Sequence, residues 1–181
     1  MPRALPRLAA LVITGAVLGL AACAAQSPDP EPTPTTDAAD APLFANDEEA
    51  LAAAVEAYEA YLDVEHRIMG PEQAPISSIR PVTTDSFGDE LAGQYEELRA
   101  AGLHLEGTAR IDSARLAQII QDSTAQATLY ACSDVSHVRV IDKSGEDVTP
   151  VRIDRVPVII ELETKAMLVA GSTTWTGDDF C

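Results

Sequence analysis

The sequence predicts an α+β domain with helices laid on one face of an antiparallel sheet. Two observations carry that expectation. Apolar residues recur at helical spacing up to Gly102, and beyond it they alternate with polar ones at a period of two. Helices gathered ahead of the strands, rather than interleaved with them, pack as a layer on the sheet. The 181 residues allow one such domain plus appendages.

The first helix is expected in "FANDEEALAAAVEAYEAYLDVEHRI". Asn46 followed by Glu49 makes a capping box, acids fill the first turn, and Leu51, Val55, Tyr58 and Leu62 share one face. Gly70-Pro71 ends it. A second helix is expected in "TTDSFGDELAGQYEELRAAG", with Phe87, Leu91, Gln94/Tyr95 and Leu98 on one face and Gly102 at the C-terminal cap. Gly88 and Gly93 weaken it. Strands follow in "LHLEGTARI", "SARLAQIIQ", "AQATLYACSD", "HVRVID", "RVPVIIELE" and "AMLVAGSTTW", separated by Asp/Ser/Gly/Lys turns.

Ahead of the domain stand two segments that cannot build a core. Arg3 and Arg7 precede an apolar run, Leu8 to Leu20, that is shorter than the roughly 20 residues of a membrane span and fits a secretory signal. Leu20-Ala21-Ala22-Cys23 then resembles the bacterial lipobox. That resemblance implies cleavage after residue 22, a diacylglyceryl group on Cys23, and an extracytoplasmic domain anchored by acyl chains to the outer face of the cell membrane. Residues 23–43 carry Pro28, Pro30, Pro32, Pro34 and Pro42 among Asp, Glu, Ser and Thr, which reads as a disordered linker. The folded domain is expected over 44–181.

With Cys23 taken by lipid, Cys132 and Cys181 are the remaining cysteines, and outside the cytoplasm they are expected to pair. Closing a loop of about 50 residues adds roughly 4 kcal/mol in the chain-entropy account. The formal charge of -17 excludes nucleic acid and anionic lipid headgroups as partners by simple repulsion. Only 4% of the residues are aromatic, so large core side chains are scarce.

The helix ending "AYEAYLDV", the stretch "ACSDVSHVRVIDKSGEDV" and the terminal "WTGDDFC" together resemble actinobacterial lipoproteins with an NTF2-like (SnoaL/ketosteroid-isomerase-like, cystatin-like) ectodomain. The resemblance runs from Asn46 to Cys181 and implies a cone: a curved antiparallel sheet wrapped against the N-terminal helices, with an apolar cavity between them that would take the ligand. Met167 stands where similar proteins often carry tryptophan, and Trp175 lies further on.

Enzymes resembling this fold use a buried Asp or His with Tyr hydroxyls as a proton-transfer pair, which makes Asp134, Tyr130, His104 and Tyr61 the candidates. Each has a plainer reading. Asp134 and Ser136 suit a side-chain-fixed turn, and His104 falls on the polar face of its strand. His66 sits near a helix C-terminus and His137 in a hairpin. Three scattered histidines and the Asp178-Asp179 pair lack metal-ligand spacing, and no phosphate loop or nucleophile elbow occurs, so no catalytic residue, metal or cofactor is assigned. The expectation is a membrane-anchored, non-enzymatic module binding a small apolar ligand or a cell-envelope protein. The alternatives are an isomerase-like enzyme with a buried carboxylate or His as general base, and a homodimer through the open sheet face.

Overall fold

The computed structural model describes residues 42–122 and 125–181, all within one compact unit. Cys23, the expected lipidation residue, the expected signal segment 1–22 and nearly all of the expected linker lie outside the described residues. Helices come first and a curved antiparallel sheet follows, an α+β arrangement without a closed barrel.

Helix α1 spans Asp47–Met69. The Asn46 side chain accepts the Glu49 N–H at 2.9 Å, and the Glu49 carboxylate accepts the Ala45 N–H at 2.8 Å. Three acids in the first turn, with His66 and Arg67 in the last, complement the helix dipole. A 3-10 helix, Ile76–Val82, absent from the sequence expectation, buries Ile79 completely before α2 spans Asp85–Ala100. Gly88 does not break α2; it admits the Thr83 hydroxyl, which lies 2.6 Å from where a Cβ would stand. Leu98, expected on the buried face, is exposed.

Six strands follow: β1 (His104–Glu106), β2 (Arg110–Ile120), β3 (Gln126–Asp134), β4 (Arg139–Ile141), β5 (Arg155–Glu163) and β6 (Leu168–Thr174). The main sheet has the order β2-β3-β5-β6, and β1 pairs with β4 in a separate two-stranded sheet. Two segments depart from the sequence expectation. "LHLEGTARI" is not one strand, because Gly107 adopts φ +84 with its Cβ position 1.8 Å from the His137 carbonyl oxygen. Only glycine fits so tight a left-handed turn, and the chain changes sheet there. Nor does "HVRVID" fold back on β3 as a hairpin. The Asp134 carboxylate accepts the Ser136 N–H and Val138 N–H bonds the Val135 carbonyl, each at 2.9 Å. That turn leads β4 out to β1, and β5 takes the place beside β3 along its full length.

Strand alternation divides the main sheet into two faces. Ala127, Leu129, Ala131, Val158, Ile160, Leu162 and Val169 point inward and pack with Tyr58, Tyr61 and Ile68 of α1, with Ile79, and with Leu91 and Tyr95 of α2. Leu129, Ile160, Ile68, Ile79 and Val169 have no exposed surface at all, so side chains fill the centre of the helix–sheet interface, where the implied cone would hold its apolar cavity. The hollow of about 410 Å³ between α1 and the start of β2 is open and lined largely by polar residues, among them Glu59, Asp63, Thr108 and Arg110.

Candidate functional site

The residues of β3 that point away from the helices are Thr128, Tyr130, Cys132 and Asp134, the opposite set from buried Leu129 and Ala131. In register, Tyr130 stands between Arg115 of β2 and Ile159 of β5, and Cys132 between Asp112 and Pro157. The segment after β6 crosses this outer face. Trp175 donates its backbone N–H to the Pro157 carbonyl at 2.8 Å, and its indole N–H to the Asp178 carbonyl at 3.1 Å. Cys181 is joined by a disulfide to Cys132, with 5.7 Å between the Cα atoms, and its main-chain oxygen accepts from Arg155. Arg155 is held in turn by the Asp112 carboxylate, whose pKa it pulls down, with help from the Ser113 hydroxyl. Cys132 is fully buried although it lies on the outer face, and the tail is what covers it.

Between tail and sheet runs an open groove of about 470 Å³. Tyr130 forms its floor, with the Trp175 ring centroid 5.1 Å away and the Phe180 centroid 6.2 Å away, both tilted. The Arg115 guanidinium stands over the Phe180 ring at 4.7 Å, and Asp178 and Asp179 complete the lining on the tail side. Three of the chain's eight aromatic side chains therefore meet on a surface that the core does not use. The lining suits an apolar group arriving from solvent.

A second polar constellation lies inside. Tyr95 donates its hydroxyl to the Glu65 carboxylate at 3.0 Å and Tyr61 to the same oxygen at 3.4 Å. Tyr58 shares a 2.9 Å hydrogen bond with Ser172. Burial pushes Glu65 above the ordinary carboxylate range, against the lowering effect of its two tyrosine donors. Burial likewise raises Tyr61 and Tyr95 well beyond the usual phenol range and Tyr58 to about 12. The trio ties α1 to α2. Arg99, from the last turn of α2, adds donations to the Ile68 and Ala74 carbonyls, each at 2.6 Å.

The sequence candidates scatter over these regions. Tyr130 floors the outer groove, and Tyr61 lies in the core on Glu65. Asp134 caps a turn at the surface, its carboxyl held below the ordinary range by Ser136. His104 sits in β1 opposite Ile141, at a groove shared with Asp142 and Lys143. None of these four is joined to another. Asp178 and Asp179 bond within the tail, where Asp179 accepts the Cys181 N–H at 2.9 Å. Among the described residues no group of three His, Cys, Asp or Glu is placed to hold a metal ion. Nor is any helix among them long and apolar enough to cross a membrane.

Glu65 escaped the sequence reading although a signal existed. It lies four residues after Tyr61 and seven after Tyr58, an acid on the apolar face of α1. Trp175 and Phe180 had a fainter one: two aromatic residues within six positions, in a chain poor in them.

No family model and no curated protein sequence matches the chain. Among solved structures it is similar to the intermembrane-space region of the chloroplast protein ARC6, at 14% identity and a TM-score of 0.49, covering 70% of this chain and 97% of that one. It is also similar to the putative transfer protein TraH from the Gram-positive conjugative plasmid pIP501, at 6% identity and a TM-score of 0.40, covering 70% of this chain and 94% of that one. Both likenesses are distant, and neither residue nor role passes from them to this chain.

Proposed function

We propose that this chain is an extracytoplasmic lipoprotein of the NTF2-like kind, tethered through Cys23 and the Pro-rich linker. It acts as a non-enzymatic binding module whose partner lies on the outer face of the sheet, not inside a cone. The observation that carries the reading is the contrast of packing. The centre of the helix–sheet interface is filled by Leu129, Ile160, Ile68 and Val169 and the hollow at its margin is lined largely by polar residues, whereas Tyr130, Trp175 and Phe180 line an open aromatic groove. The lipobox and the paired cysteines suit an oxidising, extracytoplasmic setting. A linker of about 20 residues at roughly 3.1 Å each holds the domain as much as about 60 Å from the bilayer.

The test is native mass spectrometry of the full chain purified from a bacterial envelope, beside the Trp175→Ala variant. The proposal expects an acylated Cys23 and a bound protein or apolar molecule that the variant loses. An unmodified Cys23 removes the tether, and a ligand retained by the variant removes the groove.

One observation favours a second reading. Glu65 is a carboxylate with a raised pKa beside two tyrosine hydroxyls, the residue types of a general base with its helpers. Against it, both hydroxyls point at the carboxylate and leave no donor for a substrate oxygen. An isomerase activity abolished by Glu65→Gln in a stably folded protein would restore the enzyme.

A further inference from the structure

We propose that the outer groove takes an extended peptide segment in which an apolar or aromatic side chain is flanked by Lys or Arg. This rests on the groove being the binding site, as set out above. The walls differ in character. Tyr130, Trp175 and Phe180 supply ring surface, and the tail supplies Asp178 and Asp179, both exposed. Asp179 spends one oxygen on the Cys181 N–H and lies within the electrostatic reach of Arg155, but among the described residues no salt bridge joins either acid.

The rings already accept a cation. Arg115 stands 4.7 Å over Phe180, so the guanidinium–ring geometry that a basic neighbour would use is realised within the groove itself. Net charge argues in the same direction. At -17 the chain repels a second copy of itself and an anionic lipid surface, and draws a basic partner. Shape favours a peptide over a small molecule, because a shallow, open trough of about 470 Å³ leaves much of a drug-sized ligand in water but accommodates successive side chains of a segment.

Two capped, fluorophore-labelled hexapeptides test this, sharing a central Leu-Phe pair and flanked either by lysines or by glutamates. Binding to the full oxidised chain is followed by anisotropy, and by the emission of Trp175, the chain's single tryptophan. The lysine-flanked peptide is expected to bind about tenfold tighter, with the advantage shrinking at high salt. Asp178→Asn/Asp179→Asn should abolish that preference, and Trp175→Ala should lose binding. Glu96→Gln/Glu97→Gln, an equal charge change on exposed α2 positions, should leave both intact.

A lysine preference that the α2 pair reduces as much as the tail pair means general attraction to an acidic chain, and overturns the proposal. So does failure of the lysine-flanked peptide to bind. If both peptides bind equally and both need Trp175, the groove stands as the site and the charge selectivity falls.

Discussion

The two faces of the main sheet are built from the same strands and held by different means. Inward, β3 and β5 set Leu129 and Ile160 into a filled core shared with three tyrosines, each hydrogen-bonded through its hydroxyl. Outward, one position along, Tyr130, in register with Ile159, meets a seven-residue tail fastened by a disulfide, an arginine and two ring contacts. The inner face is stabilised by apolar area removed from water, which is continuous and needs no particular partner. The outer cover is a set of point attachments on a segment with no secondary structure of its own. What is attached at points leaves gaps, and the groove is such a gap.

The sharpest way to break this comparison is to cut the covalent point. Cys132→Ser/Cys181→Ser is expected to lose about 4 kcal/mol, from a loop whose ends are 49 residues apart. Denaturant unfolding measures that loss, and a red shift of Trp175 emission reports release of the tail. If neither changes, Arg155 and the rings hold the tail unaided and the cover is no clasp.

Next in size is a pair of neighbours on β5. Ile160→Ala should cost about 3 kcal/mol, as a fully buried core truncation, and Ile159→Ala on the outer face about 1 kcal/mol. Equal losses in urea titrations would mean that the faces are not packed differently.

Buried and exposed acids should impose opposite pH slopes. Glu65 has its pKa raised in the fold, so its contribution is full below the ordinary carboxylate range and is lost as pH rises through the raised value. Asp112, Asp134, Asp142 and Asp147, all at the surface, have theirs lowered by hydrogen bonds, so stability falls as pH drops through their lowered values. Stability followed from pH 3 to 8 should therefore pass through a maximum on the acid side, and Glu65→Gln should flatten only the decline above it. A Glu65→Gln effect independent of pH would mean that the carboxylate is not desolvated.

The smallest effect on folding belongs to Trp175→Ala, within about 1 kcal/mol because the ring is half exposed. Its large effect is on binding, and a thermal melt beside a binding assay separates the two.

What could be read in the sequence follows the range of the interactions involved. The N-terminus of α1 was legible because Asn46 and Glu49 act within one turn, and the period-two strands because alternation is local. The partners of β1 and β4 were not, since three-residue strands carry almost no pattern and the pairing joins residues such as Leu105 and Val140 from distant parts of the chain. The Glu65 cluster needed α2 to bring Tyr95 across from 30 positions away. The groove needed the register of Arg115 against Tyr130, which two shifts in β2 make unreadable from alternation alone.

Those same shifts in β2 have a bearing on crowding. An unbroken edge strand is a template on which identical chains can polymerise, most readily when an anchor concentrates them in two dimensions. Here one margin of the sheet is interrupted twice, beside Ser113 at φ +54 and again between Leu116 and Gln118. The other is bridged by Thr83 against Val169, with the Thr84 N–H bonded to the Val169 carbonyl at 2.9 Å. Neither margin is a straight, uncovered row from end to end, which blunts the template on which neighbouring copies could pair edge to edge.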